Sequence, residues 1–329
     1  MADFNVYMAT ETGKLKAAVC LLGATAVFGL GNVMQKAVFD EVDGWMALGL
    51  RSGLALVCLA PWALAELRKL WPQRAQLLRL LPLVTLGFSV SIMLQIAATK
   101  LTSATNVGFL INLSVVFTPL FCWLSGHQKL DQRKIISCLI SLIGAVLLSQ
   151  CSPGNLGFGD FLCVGAAVGF AIWIMALQRA ASKLDCPALF TFIQWLLPMI
   201  FGFSITEQSV TTLNTLSILA WVEIAFLGFG SSALAYLVAA NAQAKLCSVT
   251  AALIYPAEAV FGAVAAAIWL NETLSPLATF GACLTLGSVI IVSLPVGGIQ
   301  FKTLSLIIES KVLCGLTFVE ARILKHVTR

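Results

Sequence analysis

Charged side chains are scarce in this chain of 329 residues: Asp, Glu, Lys and Arg make up 11%, against 59% hydrophobic residues. Soluble globular domains carry roughly 25% charged residues. So little charge cannot cover a water-exposed surface, which argues against a soluble enzyme and against a nucleic-acid-binding protein. The mean hydropathy of +0.95 is typical of a protein that crosses a membrane several times.

Histidine and the motifs of common enzymes are also missing. The two histidines, His127 and His326, have no second ligand at metal-binding spacing. There is no G-x-x-x-x-G-K-[ST] phosphate loop, no G-x-S-x-G and no H-E-x-x-H. The ten cysteines form no C-x-x-C pair, and most lie in apolar runs, where cysteine acts as a small hydrophobic residue. We therefore expect no catalytic residue, no metal, no cofactor and no nucleic-acid partner.

Long apolar runs are the main feature of the chain. A helix that spans a bilayer needs about 20 mostly apolar residues. Ten runs of this kind lie at 17–35, 44–64, 81–99, 104–125, 135–150, 159–178, 187–206, 217–240, 248–270 and 274–294. They predict an all-α integral membrane protein with ten transmembrane helices, preceded by a short N-terminal segment, 1–16.

The distribution of Lys and Arg predicts the orientation. Loops with an excess of Lys and Arg stay in the cytoplasm. With ten spans, 17 of the 20 basic residues fall on the side of the two termini. The other side has only Lys36 and Lys100, and Arg51 lies within a span. Both termini are therefore expected in the cytoplasm of a cell whose inner membrane holds the protein.

The tail, 295–329, differs from the spans. Apolar residues recur there every three or four positions, and Glu309 and Lys311 interrupt them. This pattern predicts an amphipathic helix on the inner membrane surface. A poorly ordered tail is the alternative.

The two halves of the chain match each other at a nearly constant offset. Cys20 corresponds to Cys163, and the run from Gln35 to Ala37 corresponds to the run from Gln178 to Ala180. The offset predicts two repeats, 17–150 and 159–294, joined by a linker at 151–158. Each repeat holds five spans, so the second must enter the membrane upside down relative to the first. Inverted repeats are typical of secondary transporters, which bind their solute near the midplane between the repeats.

Several segments resemble a known family. The run EAVFGAVAAAIWLNETLSPLATFGACLTLGSVIIV, from Glu258 to Val292, is similar to the last two helices of the EamA-like branch of the drug/metabolite transporter superfamily. The run VVFTPLFCWLSGHQKL, from Val115 to Leu130, resembles the copy in the first half. Ala259 departs from the pattern, which has proline after the glutamate. The resemblance implies two five-helix units and a central cavity lined by helices 1, 3, 4, 6, 8 and 9.

Polar and aromatic residues within these six spans are the candidates for the cavity. Polar groups in hydrocarbon are costly and usually face the interior of a helix bundle. The candidates are Asn32, Gln35, Gln95, Asn106, Asn112, Trp173, Gln178, Tyr236, Tyr255 and Glu258. The alternative is that such residues hold neighbouring helices together through hydrogen bonds. Pro119, Pro198 and Pro256 are expected to kink their helices.

Two charged residues lie deep in the spans. Glu258 is expected near the midplane, where it could couple proton binding to transport or bind an amine of the solute. The alternative is a static hydrogen bond, or a pair with Arg51. Arg51 is the second candidate for coupling or ion pairing, unless its side chain extends to the membrane surface.

The sequence therefore favours a secondary transporter, a monomer or a homodimer, that exports a small polar or amphipathic metabolite. Amino acids, their relatives and drug-like compounds are the classes that the resemblance implies. Import of a nutrient, vitamin or nucleoside-like cofactor on the same fold is the main alternative. A membrane-embedded enzyme is a weaker alternative, because the spans contain no cluster of His, Asp and Glu. A structural partner subunit is another weaker alternative.

Overall fold

A computed structural model describes residues 2–126, 131–149, 157–269 and 273–294, and in these ranges the chain is helical and has no strand. The thirteen α-helices are α1 (Ala2–Val38), α2 (Gly44–Leu70), α3 (Arg74–Thr99), α4 (Ala104–Ile111), α5 (Ser114–Leu124), α6 (Gln132–Ser149), α7 (Phe158–Lys183), α8 (Pro187–Ile205), α9 (Ile218–Ala225), α10 (Tyr236–Gln243), α11 (Ser248–Ile254), α12 (Ala257–Trp269) and α13 (Pro276–Ser293). A π-helix, Phe226–Ala235, joins α9 to α10. The tail, 295–329, and most of the expected linker lie outside the described residues.

Within the described ranges, nine helical stretches are long and apolar enough to cross a membrane. One of them, Gly44–Thr99, has 56 residues and contains both α2 and α3, joined by the short 3-10 turn Trp71–Gln73. The described residues therefore confirm the all-helical class, and their long apolar helices are candidates for crossing a membrane several times. The helix α1 begins at Ala2, and its candidate membrane span is Thr12–Val38, longer than the span expected at 17–35.

Two of the expected spans are each broken into two shorter helices. The span expected at 104–125 is interrupted at Asn112–Leu113, and the span expected at 248–270 at Tyr255–Pro256. These two interruptions occupy corresponding positions, because the offset that relates the halves of the sequence carries the first onto the second. Pro256, which lacks an amide hydrogen, accounts for the second.

The expected kink at Pro119 is not where the first of these spans breaks, since Pro119 lies inside α5. A proline leaves the carbonyl four residues earlier without its helical partner. Here the Cys138 thiol of α6 donates to that carbonyl, Val115 O, at 3.4 Å. Pro198 lies inside α8, and the Ser89 hydroxyl of α3 donates to Gln194 O at 3.0 Å in the same way. Neighbouring helices therefore satisfy both exposed carbonyls.

The helices of the two halves pack against each other in a reciprocal pattern. The second helix of one half, α2, packs against its counterpart α8, and α6 packs against its counterpart α13. The first helix of the first half, α1, packs against the stretch from α9 to α12, and the first helix of the second half, α7, packs against α3, α4 and α5. Exchanging the two halves therefore carries each of these helix contacts onto another of them.

Loops and helix ends join the halves at both ends of the bundle. At one end, which we call the Glu41 end, the Glu41 carboxylate accepts hydrogen bonds from the Ser217 hydroxyl at 2.6 Å and from the Ser217 amide at 2.8 Å. These two bonds lower the pKa of Glu41 below its ordinary value. At the opposite end, the Glu66 end, Glu66 of α2 accepts from the amide of Leu189 in the first turn of α8 at 2.8 Å.

The close contact between α6 and α13 depends on glycine. A Cβ atom added at Gly281 would lie 2.5 Å from Leu148 N and 2.6 Å from Gly144 O. We expect Gly281→Ala to lower the stability of the protein by about 1–3 kcal/mol, because backbone atoms cannot move aside locally. The measurement is the midpoint of thermal unfolding in one detergent. Gly287→Ala, on the same helix with no atom within 4 Å of its added Cβ, is the control and should not lower that midpoint.

Candidate functional site

A cavity lies among seven helical stretches: the six that were expected to line it and also α2, which contributes Arg51. It has about 730 Å³ of space not filled by protein atoms, a figure that includes its opening. Its lining residues are Phe28, Asn32, Gln35, Arg51, Ile92, Gln95, Ile111, Asn112, Ser114, Phe170, Trp173, Ile174, Ser231, Tyr236, Tyr255 and Glu258. Among the described residues, one cation and one carboxylate thus face the same space, surrounded by neutral amides, hydroxyls and aromatic rings.

The structure brings eight of the ten candidate cavity residues, and also Arg51, to this cavity. The other two candidates, Asn106 and Gln178, are not in its lining. Asn106 donates to Asp160 Oδ1 at 3.0 Å, next to Thr102, which donates to the same oxygen at 2.6 Å. The amide oxygen of Gln178 accepts from the Ser248 hydroxyl at 3.4 Å. Both side chains therefore bond to neighbouring helices, which was the alternative weighed for all ten.

Arg51 lies in the wall of the cavity, and its side chain is only 7% exposed. Its Nε donates to Ser232 Oγ at 2.9 Å, its Nη1 donates to Gln35 Oε1, and its Nη2 lies 3.4 Å from Ser231 Oγ. The guanidinium carbon is 5.2 Å from the centre of the Trp195 ring, the geometry of a cation–π contact. A guanidinium has five N–H donors, so donors remain for a bound solute.

The π-helix explains how two consecutive serines reach the same guanidinium. In an α-helix, neighbouring residues point in clearly different directions. A π-helix has i→i+5 hydrogen bonds and therefore turns less per residue, which brings Ser231 and Ser232 closer to one face. The apolar run at 217–240 carries no signal for this geometry beyond two glycines, Gly228 and Gly230, and the two serines that follow them. π-Helical turns occur frequently at functional sites.

Glu258 lies in the first turn of α12 and lines the cavity. Its Oε1 accepts a hydrogen bond from Asn32 Nδ2 of α1 at 2.7 Å, and Asn32 is exposed to the cavity. The helices α1 and α12 touch just beside this pair, because a Cβ at Gly29 would lie 2.6 Å from both Glu258 O and Gly262 N. Within the described residues, Glu258 and Arg51 thus face one cavity but have different hydrogen-bond partners.

Both helix interruptions border the cavity. Asn112 and Ser114 flank the break between α4 and α5, while Tyr255 and Glu258 flank the break between α11 and α12. Helix N-termini carry partial positive charge and unpaired N–H groups, and helix C-termini carry unpaired carbonyls. Interrupted helices at corresponding positions of two halves indicate where a membrane transporter binds its solute.

Aromatic rings form the side of the cavity that is nearer the Glu66 end. Along α1, Phe28 lies closer to the Glu66 end than Asn32, and along the second interrupted span Tyr255 lies closer to it than Glu258. The Phe28 and Tyr236 rings are 4.6 Å apart, and the Trp173 ring is 5.9 Å from those of Tyr236 and Tyr255. Phe28 and Phe170 were not candidates, because phenylalanine in an apolar span is indistinguishable from lipid-facing residues.

The described residues contain no group of three or more His, Cys, Asp or Glu side chains that could hold a metal ion. Among these residues, the cavity lining offers one guanidinium, one carboxyl group, amides, hydroxyls and aromatic rings, which can contact a solute by hydrogen bonds, charge and stacking.

A family model described as the EamA-like transporter family matches residues 15–150 and again residues 157–294. The chain belongs to the EamA-like transporter family. The double match confirms the resemblance found in the sequence, with two EamA units. Proteins of this family are transporters, not enzymes, so the chain is a multi-pass membrane protein of a family that moves small substrates across the lipid bilayer.

Two of the individual relatives also carry the name of a transporter. An uncharacterized transporter of Archaeoglobus fulgidus is 32% identical over 197 residues, which cover 59% of this chain and 62% of that relative, less than two thirds of its length. A second one from the same organism is 26% identical over 82% of this chain and 94% of its own length. The WAT1-related protein At3g56620 of Arabidopsis thaliana is 22% identical over 276 residues, which cover 74% of this chain and 73% of that relative. A crystal structure with 16% identity shares the fold, with a TM-score of 0.68 over 84% of this chain and 96% of its own.

Proposed function

We propose that the protein is a secondary transporter that exports a small polar or amphipathic metabolite through this cavity by alternating access. The observation that carries the proposal is the pair of helix interruptions, at corresponding positions of the two halves, on either side of a cavity that holds Arg51 and Glu258. A cavity with one cation, one carboxylate and several aromatic rings suits a zwitterionic or amphipathic solute. A polyanion would require more than one basic residue.

In this proposal the two EamA units have opposite orientations in the membrane. The 56 residues of Gly44–Thr99 are enough for two crossings of a bilayer core ~30 Å thick, which makes ten spans and five per unit. An odd number of crossings inverts the second unit. The reciprocal packing of α1 and α7 supports this arrangement.

Alternating access would exchange contacts between the interrupted helices. At the Glu66 end, α5 and α11 pack together through Val115, Cys122, Val249 and Leu253. At the Glu41 end, α4 packs against α3, α6 and α7, whereas α12 packs against α1, α6 and α13. In this conformation, the α5–α11 contact would close the cavity toward the Glu66 end, and the separation of α4 from α12 would leave it open toward the Glu41 end. In the opposite state α4 and α12 would pack together and α5 and α11 would separate, with the interruptions as hinges.

A ligand screen tests the proposal. The purified protein is heated in detergent with single amino acids, nucleosides and vitamins. A true ligand at 100 times its dissociation constant stabilises the folded state by about 2.7 kcal/mol, which raises the unfolding midpoint. Compounds that stabilise are then tested by counterflow in right-side-out and inverted vesicles, which separates export from the alternative, import of a nutrient, vitamin or nucleoside-like cofactor. Failure of every stabilising compound to exchange across the vesicle membrane would contradict a transporter.

The orientation gives a separate prediction. Because 17 of 20 basic residues fall on the side of the termini, we expect both termini in the cytoplasm of a cell with the protein in its inner membrane. Fusions of alkaline phosphatase, which is active only outside the cytoplasm, should be active near Asp43 and inactive at residue 329. The reverse pattern would overturn the orientation. Fusion of green fluorescent protein at the same two sites is the control, with the opposite expected pattern.

A further inference from the structure

Helix α8 lies behind the cavity wall, and among the described residues none of its side chains belongs to the cavity lining. Two consecutive residues of this helix are nevertheless bonded to the lining. Gln194 is 1% exposed and Trp195 is fully buried. Their partners are Trp173 and Arg51, one from each half of the chain.

Gln194 holds Trp173. The Trp173 indole N–H donates to Gln194 Oε1 at 3.0 Å, and this is a buried hydrogen bond. The backbone of Gln194 is held as well, because Ser89 donates to its carbonyl, which Pro198 leaves without a helical partner. The amide oxygen that sets the angle of the Trp173 ring is therefore attached to a well-anchored point of α8.

Trp195 holds Arg51 in two ways. Its ring lies 5.2 Å from the guanidinium carbon, and its indole N–H donates to the carbonyl of Ser232 at 2.9 Å. The hydroxyl of that same Ser232 accepts from Arg51 Nε at 2.9 Å. The tryptophan therefore attracts the cation directly and also anchors the residue that bonds to it.

We propose that Gln194 and Trp195 are positioning residues of the cavity: Gln194 orients the Trp173 ring, and Trp195 orients the Arg51 guanidinium. The functional meaning of this inference rests on the proposed function, in which the cavity binds the solute. Gln194 is also the counterpart of Arg51 at the offset that relates the two halves. At equivalent positions, the first half thus carries Arg51, which lines the cavity, and the second half carries Gln194, which does not line it but bonds to the lining residue Trp173.

The first test observes Trp173 in the full-length protein labelled with 5-fluorotryptophan. Its fluorine resonance is assigned with Trp173→Phe. Gln194→Met, which keeps the length of the side chain but removes the acceptor, should shift this resonance, and Gln194→Glu, which keeps an acceptor oxygen, should move it back toward the wild-type position. An unshifted Trp173 resonance in Gln194→Met would overturn the role of Gln194. Should Gln194→Met not fold, the indole proton resonance of Trp173 decides in the wild type: a downfield position, as for a hydrogen-bonded N–H, supports the bond, and the position of an unbonded indole contradicts it.

The second test measures how readily phenylglyoxal, a reagent for arginine, modifies Arg51 relative to the exposed Arg68, by peptide mass spectrometry. Labelling of Arg51 should rise several-fold in Trp195→Leu, which lacks both ring and donor, and less in Trp195→Phe, which keeps a ring. Trp123→Leu, which removes a tryptophan that is 61% exposed, should leave it unchanged. Unchanged labelling in both Trp195 variants would overturn the role of Trp195. Neither test uses a solute, so a failure here is distinguishable from a failure of the transport proposal.

Discussion

Replacement of Glu258 by Gln is expected to abolish the pH dependence of transport. Glutamine keeps the shape of the side chain and can still bond to Asn32, but it cannot bind or release a proton. The measurement is transport in proteoliposomes from pH 5.5 to 8, with the solute found in the ligand screen. We expect the rate in the variant to fall by roughly tenfold, about 1.4 kcal/mol in the barrier, and to be flat across this range.

The position of Glu258 is the reason for this expectation. A carboxyl group in a membrane helix costs about 2.5–3.5 kcal/mol on insertion scales, and such groups usually mark proton or solute pathways. Glu258 lines the cavity, and its bond to Asn32 connects α12 to α1 across the contact at Gly29. A change in its protonation therefore acts both on the solute site and on a contact between the two halves.

Glu223→Gln is the matched control for this experiment. Glu223 is also a carboxyl group in an apolar helix and is only 8% exposed, but it is not in the cavity lining. Its replacement should leave the pH profile unchanged. A wild-type rate and pH profile in Glu258→Gln would contradict proton coupling at Glu258. Loss of solute binding, instead of loss of pH dependence, would assign Glu258 to an amine of the solute.

Replacement of Arg51 by Ala is expected to abolish transport and to destabilise the protein. The change removes the only cation that the described residues contribute to the cavity lining, and it leaves Gln35 and Ser232 without their donor. Hydrogen bonds to charged groups contribute about 1.5–3 kcal/mol, so we expect a loss of stability of this size. Arg51→Lys should be intermediate, because lysine keeps the charge but lacks the planar fork that reaches several acceptors at once. The measurements are transport and the midpoint of thermal unfolding.

Arg68→Ala serves as the control, because Arg68 is on the same helix and is exposed. It should change neither transport nor unfolding. Wild-type transport together with wild-type stability in Arg51→Ala would mean that the Arg51 side chain only extends along the helix toward the membrane surface. The hydrogen bonds of Arg51 to the π-helix argue against this alternative.

Polarity within apolar spans was an effective guide to the cavity, since a polar side chain in hydrocarbon needs a partner or a cavity. Polarity alone could not distinguish a side chain that faces the cavity from one that bonds to a neighbouring helix. Asn32 and Asn106 look alike in the sequence, but Asn32 faces the cavity and Asn106 bonds to Asp160. The difference depends on which side of each helix meets which neighbour. That information lies in contacts between residues far apart in the chain.

Proline was a weaker guide to where the helices are interrupted. Pro256 does mark a break, but Pro119 and Pro198 lie inside uninterrupted helices, where a thiol and a hydroxyl from other helices replace the missing donors. The break at Asn112–Leu113 occurs without a proline. Its position corresponds to that of Pro256, so the comparison of the two halves is the signal that could have located it. Neither proline nor the comparison of the two halves indicated the π-helix.

The sequence by itself determined that this is a helical membrane protein and that it consists of two related units. Scarce charge and long apolar runs require a lipid environment, and in lipid each backbone N–H and C=O must be bonded within the chain, which selects helices. The tertiary structure alone decided which side chains face one another. The contacts of Arg51 with Ser232 and Trp195, and of Glu258 with Asn32, join one half of the chain to the other. Their formation depends on the rotation and packing of whole helices, and local sequence patterns do not contain that information.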